Sequence, residues 1–297
     1  MRGTTELTPI VTKCGVSSVC QFPLYECISE MKKKVPRAAT ILASFLAGFS
    51  RVGRPAKQRR GGVESIRLRK FGTRPLQSLC IMETSRIAEL LQPFLAEDAA
   101  VLSPAQLNNI SIYIDLLLRW NARINLTSVR QPEAIVIRHF GESLFAARHL
   151  FPDPVGAGDS PISLIDIGSG AGFPGVPIKL WAPRIHLTLI ESNHKKVAFL
   201  RQLARTLTLT DINIVPGRAE AYAGPLADVV TLRAVERFSS ALPTAANLVA
   251  PTGRLALLIG QPQTALAREL LPSAAWNHPV PLPLSSARVL LIARPAK

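Results

Sequence analysis

Three glycines at alternate positions, Gly168, Gly170 and Gly172, follow directly on the apolar run Leu164-Ile-Asp-Ile167. Glycine tolerates positive φ and lets a ligand approach the backbone where a Cβ would block it. A second apolar run, His186-Leu-Thr-Leu-Ile-Glu191, ends on a carboxylate. Where two such strands lie side by side in a doubly wound sheet, ligands sit beyond their carboxyl ends, beside the glycine turn. An acid at the tip of the second strand is then placed to accept hydrogen bonds from a ribose diol. The pair predicts a site for an adenosine-type cofactor. Gly170-Ala-Gly172-Phe-Pro-Gly175 also satisfies a G-x-G-x-x-G dinucleotide pattern, which alone is a weak signal. A pyrophosphate wants bare backbone N–H groups at a helix N-terminus. Asp166 in the strand and Pro174 in the turn suit a cationic, phosphate-free ligand better, and S-adenosylmethionine is such a ligand.

The elements that must position these groups alternate. Strands are predicted over Ile162–Ile167, up to Glu191, and over Ile212–Val215, Ala227–Leu232 and Arg254–Ile259. Helices are predicted over Val176–Trp181, Asn193–Leu207 and Ser240–Val249. Ala287–Ala293 reads as a last strand, and a closing hairpin would add an antiparallel edge. Alternating strands and helices predict a mostly parallel α/β sheet with helices on both faces. Upstream, Ile87, Leu90, Leu91 and Phe94 mark one helix face. Ser103-Pro-Ala-Gln106 reads as a capped helix start, with serine at the N-cap, proline at N1 and glutamine at N3. That helix carries Leu107, Ile110, Ile114, Leu117 and Leu118 and ends near Trp120, and a polar connector covers Asn121–Ser128. A further helix over Pro132–Leu150 turns Ile135, Phe140, Leu144 and Ala147 inward. These helices are expected to cap the main domain across a Pro/Gly-rich hinge, Asp153–Pro161.

The 297 residues carry a formal net charge of +15, unevenly spread. Residues 1–81 hold 15 Lys+Arg against 4 Asp+Glu and all four cysteines, Cys14, Cys20, Cys27 and Cys80. Residues 82–297 hold 20 against 16, a net of +4. The basic stretch has no sustained periodicity, and its cysteine spacings fit neither a zinc site nor a redox Cys-x-x-Cys. Its short apolar run resembles a signal-peptide core, and an organelle transit segment is a second reading. The reading preferred is a dispensable or mis-called leader with the true start at Met82, where the composition changes. The organisation expected is therefore a leader over 1–81, a helical cap and linker over 82–160 and the catalytic domain over 161–297.

Trp120-Asn-Ala-Arg-Ile-Asn-Leu-Thr-Ser-Val-Arg130, Arg138-His139 and Asp166-Ile-Gly-Ser-Gly-Ala-Gly-Phe-Pro-Gly-Val-Pro177 together resemble the RsmG (GidB) family, bacterial small-subunit rRNA (guanine-N7) methyltransferases. Glu191-Ser192, Lys196-Val197, Phe199-Leu200 and Arg233-Ala234 continue the likeness, which spans about 82–297. The resemblance implies a Rossmann-like class I fold and methylation of N7 of the guanine at position 527 of 16S rRNA, with S-adenosylmethionine as donor. It implies cofactor contacts at Gly168, Phe173, Ala219, Glu220 and Arg233, to which strand position adds Gly170, Gly172 and Glu191. Phe173 would pack against the cofactor, Glu220 would accept from the adenine amine and Arg233 would meet the cofactor carboxylate. Two departures stand out: the family's usual Asp after Arg-His is here Glu142, and Ile259 replaces a lysine before Gly260.

The residues can be tested against that chemistry. Guanine N7 offers a lone pair and carries no proton, so methyl transfer to it needs no general base, and catalysis is expected to be positioning. Pyrimidine C5 methylation normally uses a cysteine, and residues 82–297 contain none. No (Asn/Asp)-Pro-Pro-(Tyr/Phe) loop of the kind common in exocyclic-amine methylation follows the Ala227–Leu232 strand. RNA-binding candidates are Arg123, Arg130, Arg138, His139, Lys195, Lys196 and Arg201, because phosphate contacts dominate nucleic-acid affinity. Each alone also fits a solvated face, and His139 fits a satisfied core histidine. No metal spacing is present. The partner expected is 16S rRNA within the 30S subunit or its precursor, and the enzyme is expected to be cytoplasmic, monomeric and without a membrane anchor. Two rival readings are a catalytically silent rRNA-binding or assembly module and an NAD-linked oxidoreductase.

Overall fold

Local chemistry sets the first elements. The structure, a computed structural model, describes residues 82–95, 102–152, 161–235 and 237–296. The expected leader over 1–81, its cysteines and the hinge over 153–160 lie outside them. Helix α1 spans Thr84–Leu91 and passes into a 3-10 turn at Gln92–Phe94. Helix α2 spans Pro104–Asn121 and opens with the predicted capping box. The Ser103 hydroxyl accepts from the Gln106 backbone N–H (3.3 Å), and the Gln106 side-chain oxygen accepts from the Ser103 N–H (2.8 Å). The Gln106 amide then donates to the carbonyl of Leu180 at 2.7 Å, so the same side chain that starts the helix also docks it.

The run Pro132–Leu150 is helical, as predicted, but not uniform. It comprises α3 (Pro132–Ile135), a π-turn (Val136–Gly141) and α4 (Glu142–Leu150). Phe94 accounts for the glycine in that π-turn. A Cβ on Gly141 would lie 2.5 Å from the Phe94 ring, so the ring packs flat on bare backbone.

The sheet is built from β1 (Ser163–Ile167), β2 (His186–Glu191), β3 (Ile212–Pro216), β4 (Ala227–Arg233), β5 (Val249–Gly260), β6 (Ala275–Trp276), β7 (Val280–Pro281) and β8 (Arg288–Arg294). Helices α5 (Gly175–Trp181), α6 (His194–Thr206), α7 (Phe238–Asn247) and α8 (Gln263–Leu270) connect them. Strand order is β3-β2-β1-β4-β5-β8-β6, with β7 paired to β8. Strands β1 to β5 run parallel and β8 lies antiparallel on β5. The chain therefore reverses its direction of growth between β1 and β4, the switch point where such folds open a crevice.

Two expectations are corrected here. Val249 does not end a helix; it opens β5, opposite Ala227, and is fully buried. A β-branched residue fits that pleated, buried position better than a helix end. Helix α7 accordingly sits earlier, from Phe238. The short α8 and strands β6 and β7 had no periodic signature.

Side-chain alternation divides the core into two faces. Leu164, Leu187, Leu189, Val229, Leu258 and Leu290 pack under α1, α2, α4, α5 and α6. Ile165, Ile167, Ile190, Val230, Leu232, Leu257 and Leu291 pack under α7 and α8. The same parity places Asp166, Glu191 and Arg233 on the first face. Among the described residues no helix is long and apolar enough to cross a membrane.

Candidate active site

The glycine turn leaves β1 at the switch point with Gly168, Gly170 and Gly172 all at positive φ (66°, 58° and 92°). It is pinned to the tip of β2, where the Ile190 carbonyl accepts from Gly168 (2.9 Å) and Ser169 (3.2 Å). Glu191 completes the clamp. Its Oε2 accepts from the Gly170 N–H at 2.8 Å and its Oε1 from the Asn193 N–H at 2.7 Å. Asn193 in turn caps α6 by accepting from the N–H groups of Lys195 and Lys196. An ionised carboxylate has about four acceptor positions, so this clamp leaves Glu191 capacity for a diol.

The other side of the turn is held by the N-terminal helices. The Tyr113 hydroxyl donates to the Ala171 carbonyl, and its ring stacks on Phe173 at 5.1 Å with planes within 6°. His139 stacks on Phe173 at 4.8 Å, and Phe140 meets it edge-on. A Cβ on Gly172 would lie 2.6 Å from the Tyr113 oxygen. Phe173, expected to pack against a cofactor, is instead enclosed in this aromatic group at 7% exposure.

Asp166 also differs from its expected place. Read as an acid suited to a cationic ligand, it is fully buried. Its carboxylate accepts from Thr231 Oγ1 (2.9 Å) and from the Gly175 N–H (3.2 Å), fastening the start of α5. Burial raises its pKa to about 7.

A cleft of about 190 Å³ opens beyond the strand tips on the α7 side, lined by Gly168, Ile190, Ala219, Glu220, Val235 and Arg237 among others. A Cβ on Gly168 would come within 3.2 Å of Val235 Cγ1, so a side chain there would close the space. Glu220 stands exposed on a 3-10 turn after β3. Arg218 and Arg237, both exposed and both absent from the sequence expectations, line the same cleft. A larger cavity, about 350 Å³ beside Asn247, Leu271 and Pro295, lies at the other end of α7 and has no titratable group in its lining. Only the smaller cleft carries titratable side chains in its lining, among them Glu220 and Arg237.

Arg233 lies at the tip of β4, nearly buried. Its Nη2 donates to the Arg138 carbonyl (2.6 Å), to His139 Nδ1 (3.1 Å) and to Glu142 (3.2 Å). Burial lowers its pKa, while Glu142 raises it. Since His139 Nδ1 accepts from Arg233, its Nε2–H donates to Thr127 Oγ1 at 2.8 Å. Burial, then Arg233, Arg138 and Arg288, hold the His139 pKa at about 3, so the ring is neutral. Thr127 belongs to a connector shaped by Asn121. The Asn121 oxygen accepts from the N–H groups of Leu126 and Thr127, and its amide donates to the Thr127 carbonyl.

Of the RNA-binding candidates, Arg138 and His139 are brought beside Arg233. Arg123 and Arg130 lie exposed on the connector. Lys195 and Arg201 are exposed on α6, and Lys196 is half-buried there. Trp120 Nε1 donates to Gln202 at 3.0 Å, joining the end of α2 to α6. The departure at Glu142 is a buried acid paired with arginines, and Ile259 is buried in the α7 face. Arg288, which joins Glu142 from the first residue of β8, had no signal in the sequence. Among the described residues no group of three His, Cys, Asp or Glu is arranged to hold a metal ion.

A family model described as rRNA small subunit methyltransferase G matches residues 106–276. The ribosomal RNA small subunit methyltransferase G of Bacillus subtilis is 37% identical over 150 residues, spanning 49% of this chain and 60% of the relative. That of Halorhodospira halophila is 38% identical over 190 residues, spanning 63% of this chain and 87% of the relative. Among solved structures, magnesium protoporphyrin IX methyltransferase of Synechocystis with bound SAM aligns with a TM-score of 0.47 at 16% identity, covering 62% of this chain and 96% of that one.

Proposed function

Because the chain belongs to the rRNA small subunit methyltransferase G family, we propose that it transfers a methyl group from S-adenosylmethionine to N7 of the guanine at position 527 of 16S rRNA, within the 30S subunit or its precursor. One observation carries the reading. The family's connector block reaches the glycine turn through Thr127, His139 and Phe173, so the segment that carries Arg123 and Arg130 and the glycine turn are one packed unit.

The residues fit such a cofactor. Gly168 keeps the cleft open, Glu191 would accept from the ribose hydroxyls, and Ala219 and Glu220, which line the cleft, would hold the adenine. The bare backbone of Gly170 and Gly172 would let the sulfonium end approach the turn, and Arg233, already engaged by Glu142 and His139, would meet the cofactor carboxylate. When bound, S-adenosylmethionine supplies an electrophilic methyl on a sulfonium.

The chain's contribution is orientation. N7 attacks with its own lone pair, and the groups nearest the β4 tip are not presented as bases. His139 is neutral with both ring nitrogens engaged, and Asp166 is enclosed behind the turn. Holding acceptor and donor in line is the kind of effect that reaches large effective molarities without proton transfer. The arginine side chains cannot serve as bases either.

The test uses the full chain with methyl-labelled S-adenosylmethionine, offering 30S subunits and naked 16S rRNA that lack the modification. N7-specific strand cleavage then maps the label. Label at the single expected guanine is the result anticipated. Bound cofactor with no transfer to either substrate would instead favour a silent assembly module.

A further inference from the structure

Three guanidinium groups from three separate elements converge on one buried carboxylate. Glu142, 2% exposed in α4, meets Arg233 Nη2 at 3.2 Å, Arg288 Nη2 in direct contact, and Arg138 Nε at 3.7 Å. One negative charge serves three positive ones, so the cluster retains two positive charges. His139 adds no further positive charge, its ring being neutral. Like charges gathered this closely repel, and in a partly desolvated place an anion relieves the repulsion. The cations are also not sealed in. Arg138 is 52% exposed and Arg288 is 23% exposed, while the shared carboxylate beneath them is covered. Ser285 accepts from Arg288 Nε at 3.4 Å and orients that head group.

Position narrows the ligand. Arg233 ends β4 and Arg288 opens β8 opposite Gly260, so the cluster sits at the carboxyl edge of the parallel strands, next to the switch point. Arg233 contacts His139, and His139 stacks on Phe173 of the glycine turn. An anion held here lies beside the methyl-transfer centre, on the helical face rather than in the α7-side cleft.

We propose that Arg138 and Arg288, held on Glu142 beside Arg233, bind a backbone phosphate of the RNA strand that carries the target base. Planar guanidinium forks match phosphate oxygens bidentately, and Glu142 holds them in place before RNA arrives. The inference rests on the methyltransferase reading above. The same chemistry could be met by the carboxylate of the cofactor, and the experiment separates the two sources.

The variants are Arg138→Ala and Arg288→Ala in the full chain. Binding to unmodified 30S subunits is followed against salt concentration, and S-adenosylmethionine affinity is measured by calorimetry. Each variant is expected to weaken subunit binding about tenfold and to reduce the slope of log K against log[salt] by about 0.7. Cofactor affinity should stay within about twofold. Arg288→Lys, which keeps the charge, should keep the slope while losing part of the affinity. Arg138 is half exposed, so its variant serves as the test should Arg288→Ala fail to fold. A wild-type salt slope in Arg138→Ala overturns the proposal, as does a fall in cofactor affinity with subunit binding intact. Either result beside normal methylation by the wild-type chain leaves the proposed function standing. Absence of methylation by the wild-type chain would count against that function itself.

Discussion

Two groups next to the glycine turn, the buried Asp166 and the half-buried His139, pull stability in opposite directions with pH. His139 is held at about 3, far below an unfolded histidine near 6.5. As pH falls through 6.5 the unfolded chain takes up a proton that the folded one refuses, so this stabilisation is present above 6.5 and lost towards 3. Asp166 is held at about 7, above an unfolded aspartate near 3.9. Between those values the folded state keeps a proton that the unfolded state releases, so stability falls as pH rises from about 4 to 7. Asp166→Asn retains an acceptor for Gly175 and a partner for Thr231 without the charge. It is expected to raise stability above pH 7 by about 1–3 kcal/mol and to remove the decline between pH 4 and 7. Urea unfolding of the two proteins at pH 5 and pH 8 would show this. An unchanged difference between the two pH values would mean that Asp166 does not change its protonation between them.

At the scale of elements, the glycine turn is a loop gripped from both sides. Glu191 holds it to β2, and Tyr113 and His139 hold it to the helices. Tyr113→Phe removes the donor to the Ala171 carbonyl and leaves the stacking ring. A buried carbonyl left without that partner costs about 1–3 kcal/mol. S-adenosylmethionine affinity should fall several-fold, read by calorimetry, with the far-UV spectrum unchanged. Gly172→Ala is more severe, because it combines a φ of 92° with a contact of 2.6 Å to the Tyr113 oxygen. It should cost about 2–4 kcal/mol in urea unfolding and abolish measurable cofactor binding. A variant that binds normally would show that the turn adapts. The alternating pattern made the glycines and Glu191 legible as a candidate site. It could not disclose that Phe173 turns its ring towards the helices, since that orientation depends on Tyr113, sixty residues earlier in the chain.

For the whole molecule, the proposed cofactor is a stability term. A ligand that binds only the folded state adds about 2.7 kcal/mol at a hundredfold excess over its Kd. S-adenosylmethionine should therefore raise Tm by several degrees, whereas NAD at the same concentration should leave it unchanged. A shift with NAD alone would revive the dinucleotide reading of Gly170–Gly175. Most of the unfolding transition should be shared, because the helices over 82–152 and one face of the sheet enter a single apolar cluster.

Much of this protein was determined by its sequence alone. Strand periodicity, the capping box at Ser103, the glycine spacing and the acid ending β2 are local patterns, and each depends on neighbours within a few residues. The connector block, a longer pattern of the same kind, sufficed for the family. Where local rules competed, as at Val249, burial against Ala227 in the sheet decided. What only the tertiary structure decided were the partners of the charged groups. Asp166 turned to Thr231 of β4, Arg233 to Glu142, and Arg288 joined them from the last strand. Those pairings link residues 65 to 146 positions apart, and no periodicity along the chain encodes them. They are set by which strand tips meet at the carboxyl edge of the sheet, where a buried charge takes whatever partner the fold brings within reach.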